Sequence, residues 1–327
     1  MKYLVIGSNS FSGSNFINFL LNKNHKVVGV SRSTEIKKEF LIYKKNQNIQ
    51  NFKFYKINLN KDLKKLLNII NKFKPDIVVN YAAQGMVAQS WKFPEDWYQT
   101  NLVSQSIFYR KIQEIKFIKK IIHVSTPEVY GNTPKLIKPN YNFNPSTPYA
   151  ISRAAMDFHL FNLYKYFKLP IIFTRTANVY GPGQQLYRIV TKTIMSIKKR
   201  KYIYLHGGGK SLRSFIFVDD ASEATYIISR KGKIGSTYHI SGKNFISIKS
   251  LVKKIFNLSK LDFKKFCKIE VDRIGKDHSY KLNQQKTFKL NWKPRTDIDT
   301  GLLKTYNWVE NNFKFFKKLK LEYKHKK

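Results

Sequence analysis

Short apolar runs alternate with longer segments of helical periodicity along the first half of this chain, and this alternation restricts the fold more than any other feature. Segments such as 16–21 and 63–73 repeat apolar residues at the spacing of a helix face. Strands separated by helices pair in parallel through right-handed crossovers, so the sequence predicts an α/β fold with a doubly wound parallel sheet. Six runs have the length and composition of its strands: 3–6, 27–30, 52–55, 77–80, 121–124 and 171–174.

The alternation weakens beyond residue 176, where glycine-containing turns separate shorter elements. We therefore predict two domains. Residues 1–176 form the sheet domain, and about 214–236 return to it. Residues 177–213 and 237–327 form a smaller C-terminal α/β lobe. This lobe is expected to cover the carboxyl ends of the strands, where open sheets of this kind place their ligands.

The composition excludes several other classes of protein. A chain of 327 residues, of which 42% are hydrophobic, can bury a substantial core, so we do not expect disorder. No apolar run is long enough to cross a bilayer and none opens the chain as an export signal, which predicts a cytoplasmic protein. The single Cys267 cannot form an internal disulfide, and the histidines, including His123 and His159, lack the spacing of metal ligands. We therefore expect no metal site.

The formal net charge of +41 raises the question of a nucleic-acid partner. Lysines occur in nearly every segment and are concentrated only near the end of the sequence. We interpret this distribution as a solvated, lysine-rich surface that attracts anionic substrates. The alternative is a noncatalytic protein that docks RNA through this surface, and such binding would depend steeply on salt.

A glycine-containing loop, Gly-Ser-Asn-Ser-Phe-Ser-Gly, follows the first predicted strand and opens a helix. Glycines allow a tight turn there and let a pyrophosphate approach the helix N-terminus, whose N–H groups and dipole favour an anion. Ser10 stands where the usual spacing has a second glycine, and its hydroxyl can donate to a phosphate oxygen. The loop predicts a dinucleotide-binding site that includes Gly7, Ser10, Phe11 and Gly13.

The end of the second strand distinguishes between the two nicotinamide dinucleotides. An acidic residue there would hold the ribose 2′-hydroxyl and repel a 2′-phosphate. This chain instead has Ser31 and Arg32, and an arginine beside hydroxyl groups suits the 2′-phosphate. The sequence therefore favours NADP, with NAD as the alternative if Arg32 is only a further surface cation.

Two motifs predict the catalytic groups, His-Val-Ser-Thr-Pro-Glu-Val-Tyr-Gly at 123–131 and Tyr-Ala-Ile-Ser-Arg at 149–153. Residues four apart share one face of a helix, and a cation beside a phenol lowers its pKa. The pair resembles the active-site signature of the extended short-chain dehydrogenase/reductase superfamily, Ser-Thr-x-Glu-x-Tyr-Gly followed by Tyr-x-x-x-Lys. Arginine replaces the lysine here. The resemblance implies that the catalytic residues are Thr126, Glu128, Tyr149 and Arg153.

The resemblance covers nearly the whole chain, since further motifs occur in the superfamily's order at 178–184, 213–220, 273–280 and 290–296. Together they are similar to nucleotide-sugar 4,6-dehydratases of the dTDP-glucose and GDP-mannose kinds. This similarity implies that the lobe binds a nucleotide-diphosphate sugar. Its expected ligands are Asn178, Arg213 and Arg273, together with Gln84 and Ser90 from the loop after the fourth strand.

The same similarity completes the expected cofactor site and predicts an assembly. The cofactor-binding residues would also include Tyr149, Arg153, Asn58, Leu59, Ala82, Ala83 and Asn101. Relatives pair the helices that correspond to 101–115 and 147–167 across a two-fold axis. We therefore expect a homodimer.

Glu128 favours a dehydratase over a sugar 4-epimerase, because a dehydratase needs a carboxylate to remove the C5 proton after C4 has been oxidised. Relatives of the dTDP-glucose type have aspartate at the position of Pro127, where it protonates the leaving hydroxyl. Proline cannot do so, which leaves Thr126, Glu128 or a water for this role. A 4-epimerase and a UDP-glucuronate-type decarboxylase, which shares the Ser-Thr-x-Glu-x-Tyr-Gly run, are the alternative enzymes.

Overall fold

The computed structural model describes residues 1–272, 274–275 and 277–325. The strands are β1 Lys2–Ile6, β2 Lys26–Ser31, β3 Phe52–Lys56, β4 Ile77–Asn80, β5 Lys120–Ser125, β6 Thr133–Ile137, β7 Ile171–Thr176, β8 Asn178–Tyr180, β9 Ile203–His206, β10 Leu212–Phe217, β11 Thr237–Ile240, β12 Phe245–Ser247, β13 Cys267–Glu270 and β14 Tyr280–Leu282. The α-helices are α1 Phe11–Asn22, α2 Leu63–Phe73, α3 Val87–Ser90, α4 Pro94–Tyr98, α5 Ser104–Ile112, α6 Pro148–Phe167, α7 Ile189–Lys198, α8 Val218–Lys231, α9 Ile248–Asn257, α10 Phe263–Phe266, α11 Gln285–Phe288, α12 Ile298–Asn311 and α13 Phe313–Phe316.

The central sheet has seven parallel strands in the order β11-β7-β5-β4-β1-β2-β3. Six of them, β1 to β5 and β7, are the strands that the apolar runs predicted, so the doubly wound α/β fold is confirmed. The strand order reverses at β1, whose neighbours are β2 and β4. The loops that follow β1 and β4 therefore diverge and leave a crevice, which is where sheets of this kind bind ligands.

Alternate side chains of the strands supply two hydrophobic layers, one on each face of the sheet. Tyr3 and Val5 belong to the layer covered by α1 and α8, whereas Leu4 and Ile6 belong to the layer covered by α2, α5 and α6. Both faces of these strands are buried. This is why the strands read as nearly continuous apolar runs in the sequence.

The seventh strand shifts the expected domain boundary. The strand β11 lies in the range that the sequence analysis assigns to the lobe, yet it pairs with β7 from Thr237–Phe173 to Ile240–Thr176. The helix before it, α8, packs on α1. The strand β10 overlaps the start of the predicted return but pairs with β8 and β12 instead. The return to the sheet thus runs from α8 to residue 240, while the division into two domains stays a prediction.

The lobe has an apolar core of its own. The helices α7, α9 and α12 surround it, and β9, β10 and the segment around Phe316 contribute buried side chains. Cys267 begins β13 beside β9, and burial raises the pKa of its thiol. A thiol with a raised pKa is a poor nucleophile.

A buried network of charged and aromatic side chains lies below the carboxyl ends of β5 and β7. Arg175 Nη2 is 2.9 Å from Asp157 Oδ2, and both side chains are fully buried. Arg175 also donates to the Tyr130 hydroxyl, which is 2.8 Å from Nε2 of His239. Nδ1 of His239 is 3.0 Å from the Asn283 carbonyl oxygen. A carbonyl only accepts, so the proton of a neutral His239 lies on Nδ1 and Nε2 accepts from Tyr130.

His239 should make stability depend on pH. Burial, with the charge of Arg175 as a second cause, lowers its pKa to about 3. As the pH falls below the ordinary value of about 6.5, the unfolded chain binds a proton that the folded chain does not, so the free energy of unfolding falls. One such histidine accounts for about 2 kcal/mol of the loss between pH 7 and pH 5. His239→Gln should therefore shrink that loss by about 2 kcal/mol in urea unfolding curves.

A matched variant separates this effect from simple destabilisation. Thr287 donates to the carbonyl oxygen of His239 at 2.6 Å, so Thr287→Ala disturbs the same place without removing the imidazole. It should lower stability equally at pH 7 and pH 5. An unchanged pH dependence in His239→Gln would contradict the neutral, buried state of this histidine.

Candidate active site

A cleft of about 650 Å³ opens at the carboxyl ends of the central strands, between the sheet and the lobe. The predicted site residues that line it are Ser10, Phe11, Arg32, Ala83, Gln84, Thr126, Glu128, Tyr149, Arg153, Asn178 and Arg213. They come from loops after separate strands of the central sheet, from the first turns of α1 and α6, and from strands β8 and β10 of the lobe. The fold therefore brings most of the predicted residues to one place, and the remaining ones support the walls of the cleft or lie outside its lining.

Two glycines let the turn after β1 pack tightly against its neighbours. Gly7 has a φ of +86°, and a Cβ there would lie 2.8 Å from the backbone nitrogen of Ala82. A Cβ at Gly13 would lie 2.4 Å from the carbonyl oxygen of Gly7. Any larger side chain would push α1 away from the turn. The first turn of this helix is thereby held at the crevice beside β4.

Ser10 caps α1, which refines its predicted role. Its hydroxyl oxygen accepts from the N–H of Gly13 at 3.0 Å, so Gly13 does not offer its N–H to a ligand. The N–H groups of Phe11 and Ser12, at the first two helical positions, have no intrahelical acceptor. The Ser10 hydroxyl keeps its own proton for donation. These groups line the cleft and together provide donors for an anion at the helix N-terminus.

The loop that carries Arg32 is fixed by hydrogen bonds from the loop after β1. Ser31 Oγ accepts from the backbone N–H of Asn9 at 3.0 Å. The amide nitrogen of Asn9 donates to the carbonyl oxygens of Ser33 and Thr34 at 3.0 and 2.9 Å. Ser31 therefore holds the loop in place, while Arg32 itself lies on the wall of the cleft.

Asn58, Leu59 and Ala82 are further predicted cofactor residues that lie outside the lining of the cleft. The Asn58 side chain accepts from the N–H of Asn60 at 3.0 Å and closes its own turn. Leu59 packs on the hydrophobic layer of α2, α5 and α6. Ala82 donates its N–H to the Asn80 side chain at 3.0 Å and forms the wall against which Gly7 packs.

Asn101 and Ser90 are buried and hold other site residues in position. Oδ1 of Asn101 accepts from the N–H of Gln84 at 2.7 Å, and its amide nitrogen donates to the Gln84 carbonyl and to Ser152 Oγ, both at 3.0 Å. Ser90 Oγ accepts from the N–H of Tyr149 at 3.2 Å. These contacts fix the loop of Gln84 against the first turns of α6.

Thr126, Glu128 and Tyr149 form one electrostatically coupled group. Thr126 Oγ1 accepts from the N–H of Glu128 at 3.3 Å and caps the 3-10 helix Pro127–Tyr130. Burial raises the pKa of Tyr149, and the Glu128 carboxylate raises it further. Arg153 and a hydrogen bond with Thr126 lower the same pKa, as predicted, but burial outweighs them. The phenol is thus protonated and coupled to a carboxylate and a cation.

Arg153 replaces the lysine of the superfamily signature and is anchored on β5. Its Nη2 donates to the Val124 carbonyl oxygen and lies 3.1 Å from Nε2 of His123. A guanidinium only donates, so His123 accepts there and its proton lies on Nδ1, 3.0 Å from the Tyr109 hydroxyl. Burial and the charge of Arg153 lower the pKa of His123 well below its usual value. Nε and Nη1 of Arg153 are buried without a hydrogen-bond partner in the described part of the chain.

The lobe contributes Arg213 and Asn178 to the far wall of the cleft. Nη1 and Nη2 of Arg213 donate to the carbonyl oxygens of Leu212, His278 and Asp277 at 2.8 to 2.9 Å. Its guanidinium also lies 4.5 Å from the ring centre of Tyr280. Arg213 thus holds the loop before β14, and Nε with the remaining Nη2 proton can still donate. Asn178 is exposed at the start of β8.

Arg273, the third predicted ligand in the lobe, lies outside the described residues. Tyr187, Arg188, Tyr280 and Tyr323 line the cleft, although the sequence analysis did not select them. Tyr280 ends the motif at 273–280, whereas Tyr187, Arg188 and Tyr323 belong to none of the motifs found in the sequence. Tyr323 in particular is far along the chain from the other cleft residues, and only the tertiary structure brings it there.

The described residues offer neither a cluster of metal ligands nor a membrane-spanning helix. Within residues 1–272, 274–275 and 277–325, no three His, Cys, Asp or Glu side chains cluster closely enough to hold a metal ion. In the same described ranges, no helix combines the length and apolar character needed to span a bilayer.

Comparison with known families identifies the chain. The family model described as GDP-mannose 4,6 dehydratase matches residues 4–305. The dTDP-D-glucose 4,6-dehydratase of Dictyostelium discoideum is 31% identical over 98% of this chain and 84% of its own length. The chain belongs to this family of nucleotide-sugar 4,6-dehydratases. The human dTDP-D-glucose 4,6-dehydratase, 29% identical over 95% of this chain and 91% of its own, gives a further relative from the same family.

Solved structures of family members share the whole architecture. A dTDP-glucose 4,6-dehydratase from Bacillus anthracis, in complex with NAD, is 28% identical and superposes with a TM-score of 0.87 over 98% of this chain and 100% of its own. A UDP-glucose 4-epimerase from Thermotoga maritima, 24% identical over 96% of this chain and 100% of its own, superposes with a TM-score of 0.84. The fold is therefore common to dehydratases and epimerases, and the family is that of NAD(P)-dependent enzymes.

Proposed function

We propose that this chain oxidises a nucleoside-diphosphate hexose at C4, eliminates water across C5 and C6, and releases a 4-keto-6-deoxy sugar. The observation that carries this proposal is the coupling of Glu128 to Tyr149 in one cleft, where the carboxylate raises the pKa of the phenol. A phenol base and a carboxylate base within reach of one sugar ring are what oxidation at C4 followed by elimination requires. An epimerase has no need of the second group.

The groups that line the cleft suit a nicotinamide dinucleotide. Gly7 and Gly13 bring the N-terminus of α1 to the crevice, and a Cβ at Gly13 would collide with the backbone. The buried Nε and Nη1 of Arg153 have no hydrogen-bond partner among the described residues, as expected for donors that await ribose hydroxyls. When bound, the nicotinamide supplies the hydride acceptor for C4 and the donor for C6. Its positive charge in the oxidised state also favours the phenolate of Tyr149.

The protein residues then divide the proton transfers between them. Tyr149 accepts the proton of the C4 hydroxyl after its own phenol proton has passed to solvent, and the hydrogen bond with Thr126 and the charge of Arg153 favour the phenolate that this step needs. Arg153 stabilises the negative charge that develops on the phenol, and the anchor on Val124 and His123 keeps it in place. The C4 ketone acidifies C5, and Glu128 accepts the C5 proton. The protonated Glu128 is then the nearest acid for the hydroxyl that leaves C6, since Pro127 has no proton to give.

The nucleotide is proposed to lie against the lobe. Asn178 offers an exposed amide at the mouth of the cleft, and Arg213 keeps two donors beyond those that hold its loop. Arg273 is proposed as a further ligand from the sequence motif alone. Gln84, held by Asn101, is proposed to contact the sugar. Arginine is suited to a diphosphate because its planar fork can donate to two oxygens at once.

The two catalytic residues should fail differently. Tyr149→Phe removes the base for C4 oxidation, so neither reduced cofactor nor keto sugar should form on mixing with substrate. Glu128→Gln leaves oxidation possible but stops proton removal at C5, so reduced cofactor should accumulate while product formation falls by about 100-fold to 10,000-fold. Absorbance at the reduced-nicotinamide band and a 4-keto sugar assay report the two steps.

Thr287→Ala, a variant away from the cleft, is the control for loss of folded protein and should keep nearly full turnover. If Glu128→Gln forms the keto sugar at close to the original rate, the dehydratase mechanism loses its base at C5. A 4-epimerase that uses only Tyr149 would then explain the site better.

We infer that NADP is the preferred cofactor, and the support is the fixed position of Arg32. The backbone of the loop around it is held by Asn9 and Ser31, so Arg32 is carried at the end of β2 on an ordered loop. Arg32→Asp removes a cation and adds repulsion, so affinity for NADP should fall by about 100-fold while affinity for NAD changes by less than tenfold. Fluorescence titration with NADPH and NADH measures both.

Lys37→Asp makes the same change of charge a few residues further along, outside the lining of the cleft. It should leave the ratio of the two affinities as in the wild type. An equal effect of Arg32→Asp on both cofactors would contradict a preference for NADP and leave NAD as the working cofactor.

We also propose a homodimer formed through the outer faces of α5 and α6. Val103, Ile107, Ile151 and Phe158 lie on these faces and are between 39% and 44% exposed. A contiguous apolar face of this kind fits a self-complementary contact across a two-fold axis. Light scattering at micromolar concentration should give twice the chain mass, and Ile151→Glu combined with Phe158→Glu should halve it. A monomeric wild-type protein would contradict this assembly.

The single cysteine of this chain suits a reducing compartment, and we propose the cytoplasm as its place of action.

A further inference from the structure

The segment 319–325 is a strap outside any helix or strand, and it crosses the cleft. Its side chains alternate, with Leu321, Tyr323 and His325 turned towards the protein and Glu322 and Lys324 exposed. Such alternation is what an extended segment shows when one side is packed and the other faces water. The segment is therefore docked along its described length.

The strap starts from the core of the lobe. Phe316, just before it, is fully buried, and Leu319 and Leu321 pack on the same hydrophobic cluster. The Lys199 ammonium group donates to the Leu319 carbonyl oxygen at 3.4 Å. This end is thus fixed to the lobe by apolar contacts.

The other end is fixed to the sheet domain by His325. Its imidazole lies between the rings of Phe93 and Trp97, with both centroids 5.0 Å away and both planes tilted by only 7°. Nε2 is 2.6 Å from Asp96 Oδ2, and Nδ1 is 3.2 Å from the Gln84 amide nitrogen. An amide nitrogen donates, so Nδ1 accepts and the proton on Nε2 faces the carboxylate. Every polar atom of the ring has a partner.

Between these ends, Tyr323 lies over the cofactor side of the cleft. It lines the cleft and meets Tyr187 edge to face, with centroids 5.3 Å apart. Burial and the neighbouring Tyr187 raise the pKa of Tyr323, and the charges of Arg32 and Arg188 lower it, which places its phenol near both arginines. Arg32 is on the sheet domain and Arg188 on the lobe, so the strap bridges the two walls.

We propose that the strap, through its part 321–325, retains the bound dinucleotide. Tyr323 is its cover over the cofactor, and His325 is the latch that fastens it to the sheet domain. The proposal rests on the dehydratase function, because the cofactor of such a reaction ends each cycle in its starting state and has no need to leave. Slow release of the cofactor therefore does not slow turnover. In an enzyme that exchanges its cofactor in every cycle, by contrast, a strap that had to open each time would slow turnover.

The test is the rate at which bound NADPH or NADH leaves the full-length protein into a large excess of the oxidised cofactor, followed by fluorescence. His325→Ala removes the stacking on Phe93 and Trp97 and two hydrogen bonds, so release should accelerate by about 10-fold to 100-fold. Tyr323→Ala, which removes the cover but keeps the latch, should accelerate release by about tenfold. Lys324 lies between Tyr323 and His325 on the exposed side of the strap. The Lys324→Ala variant should therefore release the cofactor at the wild-type rate.

Wild-type release rates in both His325→Ala and Tyr323→Ala would overturn the proposal. So would faster binding in His325→Ala with unchanged release, since that pattern describes an obstruction and not a retaining strap. The assay contains no sugar, so accelerated release supports the strap even if the dehydratase assay fails. A protein that binds neither reduced cofactor would contradict the proposed function and the strap together.

Discussion

The buried pair of Asp157 and Arg175 is the interaction on which the geometry of the active site depends. Asp157 belongs to α6, three turns of helix after Thr147, and it accepts from Ser125 at the end of β5 as well as from Arg175 on β7. Arg175 in turn holds Tyr130, the last residue of the helical turn that carries Glu128. One ion pair thus ties the helix of Tyr149 to the turn of Glu128. Loss of either partner would strand a buried charge, which typically costs about 3 to 5 kcal/mol.

The exchange of lysine for Arg153 follows from its surroundings on β5. A lysine has one nitrogen, whereas the guanidinium donates to Val124 and His123 through Nη2 and keeps Nε and Nη1 for the cleft. His123 makes this possible because burial keeps its ring neutral and able to accept. His123 therefore positions the cation that is proposed to assist Tyr149. The strap adds a comparable link at the mouth of the cleft, between Gln84 and the lobe.

Much of the fold and of the site could be predicted because the relevant signals are local. Buried parallel strands give apolar runs, and the glycine loop and the two catalytic motifs each lie within a few residues. The strand β11 was not predicted from the sequence, because its four residues, Thr-Tyr-His-Ile, form no apolar run and depend on pairing with β7. The sequence also did not predict the supporting role of Asn101 or the contact of His325 with Phe93 and Trp97, for a related reason. They are contacts between distant parts of the chain, and no periodicity or spacing records them.

In the proposed reaction, one cleft carries out oxidation at C4, elimination across C5 and C6, and return of the same hydride to C6. This reaction is tested most directly with a nucleoside-diphosphate hexose that carries deuterium at C4, incubated with the enzyme in ordinary water and analysed by NMR. We expect a 4-keto-6-deoxy product with the deuterium at C6 and with no net reduction of the cofactor. Product with the label still at C4 in an inverted sugar, or label lost to reduced cofactor without elimination, would contradict it.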